Sequence, residues 1–252
     1  MHRLVVIDKK TGKKKLVNVP SYDYIMPPSN GVFVSSNDSG SAVTGSSPTP
    51  DTVSGLQAWY KYESLAALGL TSGSAVSLWP DSSGATGRNL SQATVAYQPV
   101  YDTDTTSLIP AGLPGVRFVA PNKYLSTTIN NTFWTSWTEG ELFICCQLYQ
   151  IPVDGLKVGL WTVGLADFTT AYPYTNGTFY DGAMSTVRKS FTSPLGSQIQ
   201  LEGHVYNVSS KNGEWIARMN GTTIHSTATN TYSLAGTDVK FGLSTSNFAD
   251  VT

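Results

Sequence analysis

Charge is scarce in this 252-residue chain: Asp, Glu, Lys and Arg together make up 13% of it. That is too little for charge-laced helical surfaces, so Ser, Thr, Asn and Gln must carry much of the water-facing area. The five glutamates, Glu63, Glu139, Glu141, Glu202 and Glu214, never form the Glu-x-Asp-x-Glu alternation that sets acids on one strand face for glycoside hydrolysis. Only Glu139 and Glu141 stand two apart, bracketing Gly140, and a polysaccharide-degrading enzyme is disfavoured. Histidine occurs three times and cysteine twice, without metal-ligand spacing, and no Gly-x-Ser-x-Gly elbow is present. His204 and His225 sit in strand-like text and are expected to be packed or surface residues. Acidic clusters are thin: Asp102 and Asp104 alternate, and Asp81 sits in a turn, too few oxygens for a calcium site. The expectation is a chain without catalytic residues, cofactor or metal.

Long apolar runs are missing too. No stretch approaches the roughly 18 residues of a membrane span, and the N-terminus has lysines where a signal peptide would have its apolar core. A soluble protein made in a cytoplasm is expected. The two cysteines, Cys145 and Cys146, are adjacent within an apolar run; neighbours on a strand face opposite ways, so they read as buried free thiols, not a bridge.

What is present is turn chemistry and aromatics: 23 Gly, 13 Pro and 11% Phe, Trp and Tyr, a balance that favours short strands joined by tight turns. The charge that exists is uneven. Arg3, Lys9, Lys10, Lys13, Lys14 and Lys15 face a single Asp8 in the first 15 residues, while the rest of the chain holds 10 basic and 16 acidic side chains, net −6. The body is therefore a poor nucleic-acid binder. Residues 1–20 predict a basic β-hairpin, Leu4–Ile7 and Leu16–Val19 flanking a Thr11-Gly12 turn. An isolated hairpin is marginal in water, so it should dock on its own sandwich, a sister chain or a larger assembly, and its lysines suit an assembly arm. Residues 21–54 are Pro/Ser/Gly-rich and predict a linker.

From residue 55 the text alternates in short segments. Leu56, Ala58 and Tyr60 oppose Gln57, Trp59 and Lys61; Glu63–Leu68 suggests a helical turn; and Ala75–Trp79 is a short strand stopped by Pro80 and the Asp81-Ser-Ser-Gly84 turn. Further strands are predicted at Gly115–Val119, Lys123–Ser126, Gly159–Val163, Gly177–Tyr180, Ala183–Val187, His204–Val208, Glu214–Met219, Thr222–His225 and Val239–Leu243. Glu141–Leu148, the strongest apolar run, is the expected central strand. Asn212-Gly213 and Asn220-Gly221 mark hairpins. The fold class is all-β: a two-sheet antiparallel sandwich over residues 55–252, preceded by a hairpin arm and polar linker.

Leu56-x-Ala-Trp59, Val76-Ser-Leu-Trp-Pro-Asp-Ser-Ser-Gly84, Asn89–Thr94, Gln98-Pro-Val-Tyr101 and Gly115-Val-Arg-Phe118, in this order, resemble the concanavalin A-like, laminin-G-like jelly-roll domains of bacteriophage structural proteins. The later segments at 204–208, 215–221 and 240–243 keep that order, so the resemblance covers about residues 55–248. It implies a jelly-roll virion accessory of the capsid decoration, head-fibre or tail-fibre type, exposed at the virion surface. It implies partnership with other virion proteins through residues 1–54, a multicopy or homo-oligomeric assembly, and host attachment through a surface or glycan. A purely bracing protein without a ligand is the alternative. Such domains also continue into a further apolar strand after Phe248, where this sequence reads Ala249-Asp-Val-Thr252. Truncation, a strand supplied by the arm or a neighbour, or an open sheet edge would each account for that.

Sugar binding needs aromatic platforms with hydroxyl or amide partners on exposed loops. Trp134 and Trp137 in Thr132–Trp137, and Tyr172, Tyr174, Tyr180 and Asp181 in Ala171–Asp181, have that character, against the alternative that the tryptophans cap the core and the tyrosines are ordinary loop residues. Trp59, Trp79, Trp161 and Trp215 are assigned to packing.

Overall fold

The computed structural model describes residues 2–7, 14–19, 50–103, 114–118, 123–128, 137–148, 159–164, 170–174, 177–192, 203–234, 238–244 and 247–248. It separates into two compact units, Met1–Val53 and Ser54–Thr252. In the first, β1 (His2–Ile7) and β2 (Lys14–Val19) pair antiparallel, His2 opposite Val19 and Ile7 opposite Lys14. The β-branched residues in both runs favour this pairing. Arg3, Lys14 and Lys15 lie within these strands, while Lys9, Lys10, Lys13 and nearly all of the linker lie outside the described residues.

The second unit opens without the expected alternating strand, because residues 56–61 join no sheet. Their backbone is claimed by the Trp-Pro-Asp-Ser-Ser-Gly turn instead. Trp59 N–H donates to Asp81 Oδ1 (2.7 Å), Ser82 N–H donates to the Trp59 carbonyl (2.7 Å), and Trp79 Nε1–H donates to the Lys61 carbonyl (3.0 Å). Asp81 also accepts from Ser83 N–H and Oγ–H, so the aspartate serves the turn, as its position predicts. One helical turn follows, α1 (Tyr62–Ala66), which buries Leu65.

Short strands succeed one another: β3 (Leu78–Trp79), β4 (Leu90–Ser91), β5 (Val100–Asp102), β6 (Gly115–Arg117), β7 (Leu125–Thr128) and β8 (Glu139–Cys146). Then come β9 (Trp161–Thr162), β10 (Thr178–Asp181), β11 (Lys189–Thr192), β12 (His204–Lys211), β13 (Glu214–Met219), β14 (Thr222–Thr227), β15 (Asp238–Phe241), β16 (Leu243–Ser244) and β17 (Asn247–Phe248). They form an all-β sandwich with two principal antiparallel sheets, ordered β14-β13-β12-β8 and β3-β4-β7-β15-β9. Two-stranded ribbons β5-β6, β10-β11 and β16-β17 complete the ladders.

Period-two burial sets the core. On β13, Trp215, Ala217 and Met219 turn inward between half-exposed Glu214, Ile216 and Arg218. They meet Leu90, Leu125, Trp161 and Val239 of the other sheet in one apolar cluster. Trp161 on β9 stacks on Tyr206 of β12 with ring centroids 5.4 Å apart, which fastens sheet to sheet. Trp161 and Trp215 are fully buried, as packing residues should be, while Trp59 and Trp79 are half-buried.

Three expectations are corrected. β8 is an end strand among the described residues, not a central one: Leu142, Ile144 and Cys146 face the core, but Phe143 stands 49% exposed on the outer side. Cys145 is likewise exposed and only Cys146 is buried, because adjacent strand residues take opposite faces. Residues 183–187 form a turn carrying an isolated bridge, Ser185 to Tyr232, with Met184 at φ 53°. The hairpin signals hold: Asn220 and Gly221 both adopt positive φ, as a type I′ turn requires, and Gly213 does so alone in its pair.

Gly242 (φ 83°) lies face-on to the buried Phe118, and a β-carbon there would overlap that ring. Gly242→Ala is expected to cost about 2–4 kcal/mol from left-handed strain plus overpacking. Gly221→Ala, with open space around it, should cost about 1 kcal/mol. Urea midpoints of the two variants check this, and equal losses would refute the packing argument.

Candidate functional site

The aromatic-rich segment Ala171–Asp181 divides by depth. Tyr172 (0% exposed) and Asp181 (1%) are core residues, not the loop platform their composition suggests. Tyr172 packs between Phe179 (4.8 Å), Tyr206 (4.7 Å) and His204 (5.7 Å), and its hydroxyl lies 2.6 Å from His204 Nε2. Cys146 Sγ is 3.5 Å from the same nitrogen. His204 is therefore a packed core residue, and burial drives the Cys146 thiol well above its usual range. The Asp181 carboxylate accepts from Ala183 N–H (2.8 Å), Tyr206 Oη–H (3.0 Å) and Trp161 Nε1–H (3.5 Å). Burial outweighs these bonds and raises its pKa to about 6.

Tyr174 and Tyr180 remain half-exposed. Their rings meet edge to face at 5.9 Å, and the Arg188 guanidinium lies 4.8 Å from the Tyr180 ring centre. Register places Tyr180 of β10 opposite Ser190 of β11. Ser190 in turn lines an open pocket of about 540 Å³ bounded by Val187, Lys189, His225, Asn230 and a run of Ser and Thr side chains. The volume lies within the range of small-molecule sites. Tyr180, whose ring meets Tyr174 and Arg188, thus lies across the ribbon from a residue that lines the hollow.

The pocket's wall is built by long-range hydrogen bonds. Asn230 donates through Nδ2 to Ser210 Oγ (3.0 Å) and the Lys211 carbonyl (2.8 Å), and its Oδ1 accepts from Ser185 Oγ–H (2.6 Å) and Lys189 Nζ (3.1 Å). Lys189 Nζ also donates to Ser185 Oγ (3.0 Å) and the Val187 carbonyl (2.9 Å). His225 stacks on Phe191 at 4.7 Å and meets Trp215 edge-on. Burial, with the Lys189 charge adding to it, lowers the His225 pKa, and burial lowers that of Lys189.

Of the other expected site residues, Trp137 is half-buried and Trp134 lies outside the described residues. Glu139 and Glu141 project from the outer face of β8. Glu141 is held there by Asn207 Nδ2 (3.1 Å) and Arg218 (3.4 Å), in a polar bracket across β8, β12 and β13. Among the described residues no group of three or more His, Cys, Asp or Glu side chains is placed to hold a metal, and no helix is long and apolar enough to cross a membrane. Lys189, Asn230 and Arg188 belong to the site without having been singled out. The adjacent Arg188-Lys189, the one adjacent basic pair in the sequence after residue 15, is the available signal.

No protein-family model matches the chain. No curated protein does either. Solved structures match at 10% identity: the HCR/D W1238A mutant (TM-score 0.45, covering 71% of this chain and 44% of that one) and the binding domain of botulinum neurotoxin DC in complex with rat synaptotagmin II (0.39, 65% and 40%). A third comes from a study in which cell entry of botulinum neurotoxin type C depends on interaction with two ganglioside molecules (0.40, 71% and 44%). The chain spans under half the length of these structures, and a likeness this slight supports no inference about its function.

A carboxyl whose folded pKa is raised binds its proton more tightly when folded. Its stabilising contribution is complete below the unfolded value near 4 and is lost as pH rises through about 6. Relative to Asp181→Asn, the wild-type protein should therefore lose on the order of 2–3 kcal/mol between pH 4 and pH 7. Urea midpoints of both proteins across that window test this, and parallel curves would remove the assignment.

Proposed function

We propose that this chain is a non-enzymatic accessory protein of a bacteriophage virion, attached through residues 1–54 and displaying its sandwich as a jelly-roll that binds a surface glycan. The observation that carries the binding reading is the half-exposed Tyr174–Tyr180 pair with Arg188, beside a pocket lined by hydroxyls and an amide. Sugars offer apolar faces to aromatic rings and hydroxyls to polar rims, and both kinds of partner adjoin here. Weak single contacts suffice when many copies act together. The virion assignment draws its support from the ordered motifs between Leu56 and Phe118, and the attachment role from the basic antiparallel hairpin at the N-terminus.

The bracing alternative has one observation in its favour: β8 ends its sheet among the described residues and exposes Phe143, a surface suited to contact with a neighbouring chain.

Two outcomes are expected. Tyr180→Ala should weaken binding to a responsive glycan by about tenfold, the value of one stacking contact near 1.4 kcal/mol, with the melting curve unchanged. A glycan array probed with the intact chain, followed by titration calorimetry, reads this; unaltered affinity removes the platform. Deleting residues 1–54 should abolish incorporation into particles, measured by immunoblot of purified virions. Full incorporation of the deleted form would end the arm's attachment role.

A further inference from the structure

Lys189 as a residue is 8% exposed, and the three protons of its ammonium go to neutral oxygens of Ser185, Val187 and Asn230. Its cross-strand register partner is Asp181, yet the two charges turn apart: the Asp181 carboxylate is spent on Ala183, Tyr206 and Trp161. Among the described residues no carboxylate lies within ion-pair distance of Lys189. A buried charge without a counter-ion is costly, and proteins ordinarily pair it. Here the charge borders the pocket, with His225 on the same lining and Arg188 next along the chain. Among the described residues the pocket has no acid in its lining: beside Lys189 and His225 it is Val187 together with serines, threonines and Asn230. A basic hollow on a sandwich whose residues 55–252 hold 13 acidic and 10 basic side chains is not a by-product of overall composition.

We propose that the pocket between the β10-β11 ribbon and β14 receives the anionic substituent of an acidic saccharide, a carboxylate or a sulfate, with Lys189 supplying the counter-charge and His225 and the Ser and Thr hydroxyls its polar contacts. This rests on the glycan-binding reading and names the class of glycan. Burial disfavours the charged forms of both Lys189 and His225, and an anion between them would offset that penalty. Tyr180, opposite Ser190, would stack the neighbouring ring.

The test uses the full chain and three probes: a polyuronate oligosaccharide, the same oligosaccharide with its carboxyls reduced to primary alcohols, and a sulfated neutral oligosaccharide. Tenfold or greater preference for a charged probe over the carboxyl-reduced one is expected, and which charged probe binds tells carboxylate from sulfate. Lys189→Met keeps the side-chain stem and should collapse the preference to near unity. His225→Gln, at a less buried position, should reduce it severalfold and serves if Lys189→Met fails to fold. Equal binding of all three probes, sensitive to Tyr180→Ala, overturns the acidic assignment and leaves the glycan reading standing. Binding of none overturns the acidic assignment, and an equally blank glycan array overturns the glycan reading as well. Equal loss of charged and reduced probes in Lys189→Met shows a purely structural clamp and also overturns it.

Discussion

The carboxylate of Asp181 holds Tyr206 of one principal sheet and Trp161 of the other, at the point where their rings stack. Around that junction lie Tyr172, Phe179 and His204, so an aromatic layer with a few polar atoms replaces a purely aliphatic interior. The arrangement fixes geometry as well as energy. Aliphatic side chains slide past one another at little cost, whereas a hydrogen-bonded indole and phenol accept one relative placement. The β10-β11 ribbon carries Asp181 at one end, and so the depth at which this carboxylate sits sets the height of Tyr180, one residue earlier and facing outward. The surface hollow inherits its position from the core.

Much of the fold is legible in the residues. The Asn220-Gly221 turn, the inward alternation of Glu214–Met219 and the Asp81 turn are local statements, each settled within a few residues by φ preferences or period-two burial. The failures share a cause of the opposite kind. Gly55–Tyr62 alternates as a strand does, but its backbone is taken by Asp81 and Ser82, more than twenty residues away. Glu141–Leu148 is apolar enough for a central strand, yet whether a second neighbour arrives is decided by other strands, not by its own residues.

The candidate site shows the same divide. Tyr172 and Tyr174 are identical in type and two apart, and composition treats them alike. Only the arrival of His204 and Tyr206 from β12 buries the first and leaves the second half-exposed. Lys189 and Asn230 meet across forty residues of sequence, a juxtaposition that no local motif announces. Arg188-Lys189 could have been noticed as a basic pair, but not that one of the two would be turned inward.

The strand order has a temporal side. β12, β13 and β14 are joined by two-residue turns, so three strands of one sheet can zip together from neighbours in sequence, and β8 adds across a moderate gap. The other sheet cannot form that way. β15 (Asp238–Phe241) lies between β7 and β9, and among the described residues it alone joins β9 to the remaining strands of the sheet. On a ribosome, the half that contains Leu78 and Leu90 is made well before β15 and stays incomplete until residues 238–241 have emerged. Loop-closure entropy then has to be met across more than a hundred residues in one step. The slow and aggregation-exposed stage of this protein's life is therefore the wait for β15.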